Sequence, residues 1–252
     1  MIYGTLLSEV DMSTDGFLSS ADYGRVTRLL HKLASHNISG WALAGGFAIE
    51  LQITQRGGYT LSRKLSDLDF VAASFDDVPR SLGRDFLIRH VHPYDPPGKT
   101  LLQMVDAESR LRVDVFRACG AQMERVSLVE LPNGRLQIVS FEDMVARATR
   151  VCCDLLTEEP VAAKYARDFL RLFELADAEK VEPVWMEHRR QPNRMSFIET
   201  AHMLRSVVIS RKDLLIDPEY ATDINTICAR CCEVDGLRLA DPQQILSLLG
   251  YC

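Results

Sequence analysis

The sequence predicts an α+β protein, with a mixed β-sheet flanked by helices over residues 1–140 and a helical domain over residues 141–252. Three observations carry this reading. Short apolar runs broken by turn residues fill the stretch from Trp41 to Ser140, the pattern of strands. Apolar residues at helical spacing precede and interrupt those runs. From Phe141 onward the helical spacing dominates. With 252 residues, 47% hydrophobic and 25% charged, the chain can build a real core in one large or two modest soluble domains.

In chain order, Val26, Leu29, Leu30 and Leu33 recur at i, i+3, i+4 and i+7. ADYGRVTRLLHKLASHN is therefore an amphipathic helix, with Ser20 as its expected N-cap. WALAGGFAIELQI reads as a strand, a turn at Gly45-Gly46 and a helix. DLDFVAA and FLIRHVH are the next strands. TLLQMVDAESRLRVDVFRA forms two strands joined by the polar turn DAES, and VSLVELPNGRLQIVS forms a hairpin turning at Pro132-Asn133-Gly134. FEDMVARATRVCCDLLTEE and PVAAKYARDFLRLFELADA then carry helices, and the remainder reads mainly as helices with short loops.

Composition excludes several function classes. A net charge of −6 argues against a broad nucleic-acid surface, which needs clustered Lys and Arg, although a local basic patch is compatible with it. No apolar run reaches bilayer length and the first residues lack a signal-peptide pattern, so no membrane association and a cytoplasmic location are expected. The seven cysteines form no secreted disulfide framework and are expected as reduced thiols.

The stretch SDLDF carries the first chemical signal. Residues two apart on a strand share a face, so Asp67 and Asp69 project together, roughly 7 Å apart along the chain. Two such carboxylates repel unless a cation lies between them. Asp114 interrupts the apolar strand RLRVDVFRA where alternation would otherwise place a hydrophobe. Three carboxylates on neighbouring strands supply hard oxygen ligands suited to Mg²⁺ or Mn²⁺. No Lys or Arg partner for them is evident in their own strands. Gly45 and Gly46, where a strand gives way to a helix, offer backbone N–H groups to a phosphate.

In this order, AGG at a strand-to-helix turn, DLDF opening a strand and a single Asp in VDVF, the sequence resembles the nucleotidyltransferase superfamily with the DNA polymerase beta-like fold. The resemblance covers roughly residues 21 to 140, and the helices beyond look closest to the AbiEii-type branch, which includes toxin nucleotidyltransferases. Arg63, shortly before the DxD, and Lys164, Arg167 and Asp168 in KYARDFLRL match that branch. Gly46 stands where many small-molecule transferases carry Ser, and the segment between Gly46 and Asp67 is long for the superfamily. The resemblance implies attack of an acceptor hydroxyl on the α-phosphate of an NTP with pyrophosphate leaving. It implies Asp67, Asp69 and Asp114 as catalytic metal ligands, Asp114 also as the nearest candidate base, and Gly45, Gly46, Arg63, Lys164 and Asp168 as nucleotide-binding residues. The acceptor it implies is an RNA end, with a small hydroxylated or amino-bearing molecule as the alternative; a non-catalytic nucleotide-binding module and an antitoxin-like protein partner also stay open. Arg56, Arg63, Lys64, Arg147, Arg150, Lys164 and Arg167 could form the local patch that an RNA end requires.

On the helix PVAAKYARDFLRLFEL, Val161, Tyr165, Phe169 and Leu172 form an apolar stripe, with Lys164, Arg167, Asp168 and Arg171 on another side. Arg167 and Arg171 are expected on a solvated face. Three other motifs are set aside. Gly98-Lys99-Thr100 lacks the first glycine of a P-loop, His90 and His92 lack a third soft ligand, and Cys228, Cys231 and Cys232 lack the second half of a zinc site.

Overall fold

The computed structural model describes residues 17–62, 65–131, 134–190 and 193–217. The first helix, α1 (Ser20–Ala34), buries Val26, Leu29, Leu30 and Leu33, the stripe that its spacing requires. Its cap lies one residue earlier than expected. Ser19 is extended at φ −67° and ψ 154° and its hydroxyl accepts from the Asp22 amide, which makes Ser20 the first helical residue.

Strand β1 (Trp41–Ala44) is buried throughout and turns at Gly45 into α2 (Gly45–Gln55). β2 (Asp67–Ala72), β3 (Leu87–Val91), β4 (Thr100–Asp106), β5 (Leu111–Arg117), β6 (Ser127–Leu131) and β7 (Gly134–Ile138) complete a mixed seven-stranded sheet. Its order is β3-β4-β5-β2-β1-β7-β6. β2 with β5 and β1 with β7 are parallel, and the other neighbours are antiparallel. The β6–β7 hairpin pairs Leu131 with Gly134, and the Pro132-Asn133 part of its turn lies outside the described residues.

Past residue 140 come α3 (Phe141–Cys152), β8 (Val161–Ala162), α4 (Ala163–Leu175), α5 (Ala178–His188), α6 (Phe197–Ser210) and β9 (Leu215–Ile216). β8 and β9 pair in parallel, a two-residue ladder too short to leave an alternating pattern in the sequence. One apolar core runs from Leu68 and Phe70 in the sheet to Phe169, Trp185 and Phe197 in the helices. On α4 the buried positions are Ala166, Asp168, Phe169 and Leu172. Tyr165, expected on the apolar stripe, is instead 41% exposed at the mouth of a cavity, with the Lys164 ammonium 4.9 Å from its ring centre.

Cys119 and Cys152 are buried and Cys153 is half-buried, all three as free thiols, while Cys228, Cys231, Cys232 and Cys252 lie outside the described residues. Among the described residues no helix is long and apolar enough to cross a membrane.

Candidate active site

The register of β2 against β5 sets the centre of the site. Asp69 pairs with Asp114, and Asp67 pairs with Arg112. Alternation places these four side chains on one face of the sheet. Leu68, Phe70, Val113 and Val115, on the opposite face, are fully buried and anchor the strands.

The carboxylates do have a cationic partner, contrary to the expectation from their strands. The Arg112 guanidinium donates from Nη2 to Asp67 Oδ2 at 2.5 Å and from Nε to Asp114 Oδ2 at 3.0 Å. Gln103 on β4, opposite Asp114, donates to its other oxygen at 2.9 Å. Asp69 is left as the electrostatically costly member. Burial and then the charges of Asp67 and Asp114 push its carboxyl up to about 7, against the weaker pull of Arg147 and Arg112. Burial also raises Asp114.

Gly45 closes the site from the β1 side. Ala44 pairs with Asp69 across β1 and β2, so the chain turns into α2 directly beside that carboxylate. Gly45 has φ +65°, and a Cβ built there would overlap the Asp69 carboxylate. The first turn of α2 has no side-chain cap and no acidic residue, which leaves its N–H groups and the positive end of its dipole directed at the site.

A cavity of about 500 Å³ unites these parts. Of the residues singled out in the sequence, Gly45, Gly46, Asp67, Asp69, Asp114, Lys164, Arg167 and Asp168 line it; Arg63 lies outside the described residues. Arg112 and Arg147 add positive charge to the wall, Arg147 with its guanidinium stacked 4.7 Å from the Phe116 ring centre. Of the residues named for a local basic patch, Arg147, Lys164 and Arg167 line the cavity. Arg56 stacks on Phe141 at 4.1 Å and hydrogen-bonds to Gln52, while Arg150 donates to Cys119 Sγ, so both are engaged by the protein itself. Lys64, like Arg63, lies outside the described residues.

Arg171 also departs from the solvated face expected of it. Its side chain is 13% exposed and forms a two-pronged pair with the buried Glu50 at 2.8 and 2.6 Å, while also donating to the Tyr59 carbonyl at 2.7 Å. Leu61 N–H also donates to Glu50 at 3.0 Å. Asp168 lies 3.7 Å from the same guanidinium. This cluster ties α2, α4 and the 59–61 segment together along the cavity. The sequence signal for it was Glu50 itself, a charge in the otherwise apolar run FAIEL.

No family model matches the chain, and no curated protein matches it. Solved structures do. The antibiotic-resistance factor ANT(2'')-Ia, determined in solution, is similar over 76% of this chain and 95% of its own, at 12% identity and a TM-score of 0.44. The lincosamide antibiotic adenylyltransferase LnuA, with lincomycin bound, is similar over 64% and 100%, at 14% identity and a TM-score of 0.36. An antigenic nucleotidyltransferase-like protein from Paracoccidioides brasiliensis is similar over 86% and 99%, at 18% identity and a TM-score of 0.43. These likenesses concern the course of the chain; what the cavity can do follows from its own residues.

Among the described residues no group of three or more His, Cys, Asp or Glu is arranged to hold a metal ion as it stands. Arg112 lies between Asp67 and Asp114 and takes an oxygen of each. The donor chemistry nevertheless suits a divalent cation. Asp67, Asp69 and Asp114 supply three carboxylates on one face of neighbouring strands, and burial, then the charges of Asp67 and Asp114, raises Asp69.

Proposed function

We propose that the protein is a nucleotidyltransferase that moves an NMP from an NTP to an acceptor hydroxyl. The observation that carries this reading is the convergence of Asp67, Asp69 and Asp114 with the uncapped start of α2 and with Lys164 on one cavity. The N–H groups at Gly45 and Gly46 bind phosphate oxygens, and Lys164 and Arg167, with Arg147 across the cavity, neutralise the triphosphate. Asp67, Asp69 and Asp114 would hold Mg²⁺ or Mn²⁺, with the Arg112 guanidinium giving up its two oxygens. A cation bound there would polarise the α-phosphate and make the acceptor hydroxyl more acidic. Asp114 is the nearest candidate to accept the hydroxyl proton.

A small hydroxylated acceptor suits the site better than an RNA end, because Arg56 and Arg150 are withdrawn from the patch that an RNA would need. Incubating the full chain with α-labelled NTPs, Mg²⁺ and either tRNA or hydroxylated small molecules tests both readings. The expected result is pyrophosphate release that depends on a small acceptor. Label on tRNA, with binding that weakens steeply between about 50 and 200 mM salt, would restore the RNA-end, toxin-like reading and the search for an antitoxin partner. Mg-dependent NTP binding without transfer to any acceptor would leave a nucleotide-binding module.

A further inference from the structure

Between Thr100 and Asp106, β4 runs LLQMV, so Gln103 is a polar side chain set among apolar ones. With β3 on one side and β5 on the other, such a side chain needs a partner, and the sheet supplies it. Gln103 stands directly opposite Asp114 in the antiparallel β4–β5 pair, so the two side chains leave the sheet on the same face. Its amide Nε2 donates to Asp114 Oδ1 at 2.9 Å. The direction follows from the chemistry, because an ionised carboxylate only accepts and the amide must turn its NH₂ group towards it. Gln103 is half-buried and stands behind Asp114, outside the ring of residues that line the cavity, so it reaches the site through that carboxylate.

The two oxygens of Asp114 are thereby divided. Oδ1 takes the Gln103 amide, and Oδ2 takes Arg112 Nε at 3.0 Å. Asp67 is held differently: Arg112 takes its Oδ2, and Oδ1 accepts a longer bond, 3.2 Å, from the hydroxyl of the adjacent Ser66. We propose that Gln103 is a positioning residue for the divalent cation that Asp67, Asp69 and Asp114 would hold: it pins Asp114 Oδ1 to β4 and so keeps Oδ2 turned to the cation when Arg112 gives that oxygen up. The inference rests on the nucleotidyltransferase reading of the site.

The argument is one of order. When Arg112 moves off, Asp114 loses one of its two bonds and keeps the one to the sheet. Without Gln103 it would lose both, the carboxylate would turn about its side-chain bonds, and fixing it again would cost conformational entropy at the moment of metal binding. Groups that hold a ligating carboxylate tune metal affinity for this reason. Gln103 touches neither cation nor substrate, and its whole effect runs through the orientation of Asp114.

The test titrates Mn²⁺ into the full chain, freed of metal by chelator and dialysis, and reads free Mn²⁺ by electron paramagnetic resonance with Mg²⁺ as competitor. Gln103→Met keeps the length of the side chain and removes the donor. It should weaken Mn²⁺ binding by about tenfold while melting close to the parent in chelator. Gln103→Asn, which draws the amide back by one methylene, should weaken binding as well, and it carries the same test where Gln103→Met fails to fold. Turnover of NTP should need correspondingly more Mg²⁺ in both variants. A parent chain that binds Mn²⁺ with folded variants that bind it equally well overturns the inference and leaves the nucleotidyltransferase reading standing. Weaker binding accompanied by a large fall in melting temperature assigns Gln103 to the fold alone and overturns it too. A parent chain that holds no Mn²⁺ displaceable by Mg²⁺ overturns the reading of the metal site itself, and this inference with it.

Discussion

The Asp69 carboxylate occupies the space that a side chain on Gly45 would need. The residue that turns β1 into α2 is thus bound to one that must reach the cavity, and either alone would be unremarkable in sequence. Gly45→Ala should cost about 1 to 2 kcal/mol for its left-handed backbone, and more for the displaced carboxylate. It should also weaken NTP binding. A variant that melts with the parent and binds Mg-NTP equally well would show that the two do not compete for this space.

Asp69 makes stability depend on pH in a definite direction. Its folded carboxyl stands at about 7 against an ordinary 3.8, so between those values the folded state holds a proton that the unfolded state has released. Stability therefore falls as pH rises through that window, and the separation sets an upper bound of about 4 kcal/mol. Asp69→Asn removes this dependence. In chelator, denaturant unfolding should show the variant gaining on the parent from about pH 4 to about pH 7 and no further change above it. A difference that stays constant with pH counts against the crowding of Asp69 by Asp67 and Asp114.

Arg112 stands where a metal ion's charge would act. In metal-free protein, Arg112→Ala leaves Asp67 and Asp114 without their shared cation. Because the guanidinium is 33% exposed, the loss should be about 1 to 2 kcal/mol, well below that of a fully buried pair. Added Mg²⁺ should then raise the melting temperature of the variant more than that of the parent. An equal shift in both would show that guanidinium and metal do not share the carboxylates.

Much of this centre was legible because strands keep strict period. Alternation alone placed Asp67 with Asp69, and the glycine pair marked the turn into α2. The same rule applied to RLRVD would have put Arg112 beside Asp114, since they too are two residues apart. What alternation could not supply was the register that sets Arg112 opposite Asp67, because a parallel pair joins strands far apart in sequence. The fate of Arg171 was hidden for a related reason. Helical spacing assigns a residue to a face but does not say whether that face meets solvent or a buried Glu50. The hydrogen bond between Asp143 and His188, 45 residues apart, left no local pattern at all.

Lys164 and Arg171 lie two turns apart on α4, and their substitutions are expected to have opposite kinds of effect. Arg171 is 13% exposed and holds Glu50, whose side chain is 1% exposed, so Arg171→Ala takes a two-pronged ion pair away from a buried carboxylate. The expected loss is about 3 to 5 kcal/mol of folding stability, read by denaturant unfolding. Glu50→Gln in the same chain should recover part of it, because the stranded charge is gone. Lys164 lines the cavity from a half-buried position, and Lys164→Ala should leave the melting temperature nearly unchanged. NTP binding should weaken by about 1.5 to 3 kcal/mol, the range for a charge-assisted hydrogen bond to phosphate. Calorimetric titration of NTP into both variants separates the roles. A Lys164→Ala chain that binds as the parent does removes Lys164 from the triphosphate site, and an Arg171→Ala chain of undiminished stability removes the Glu50 pair from the framework of the cavity.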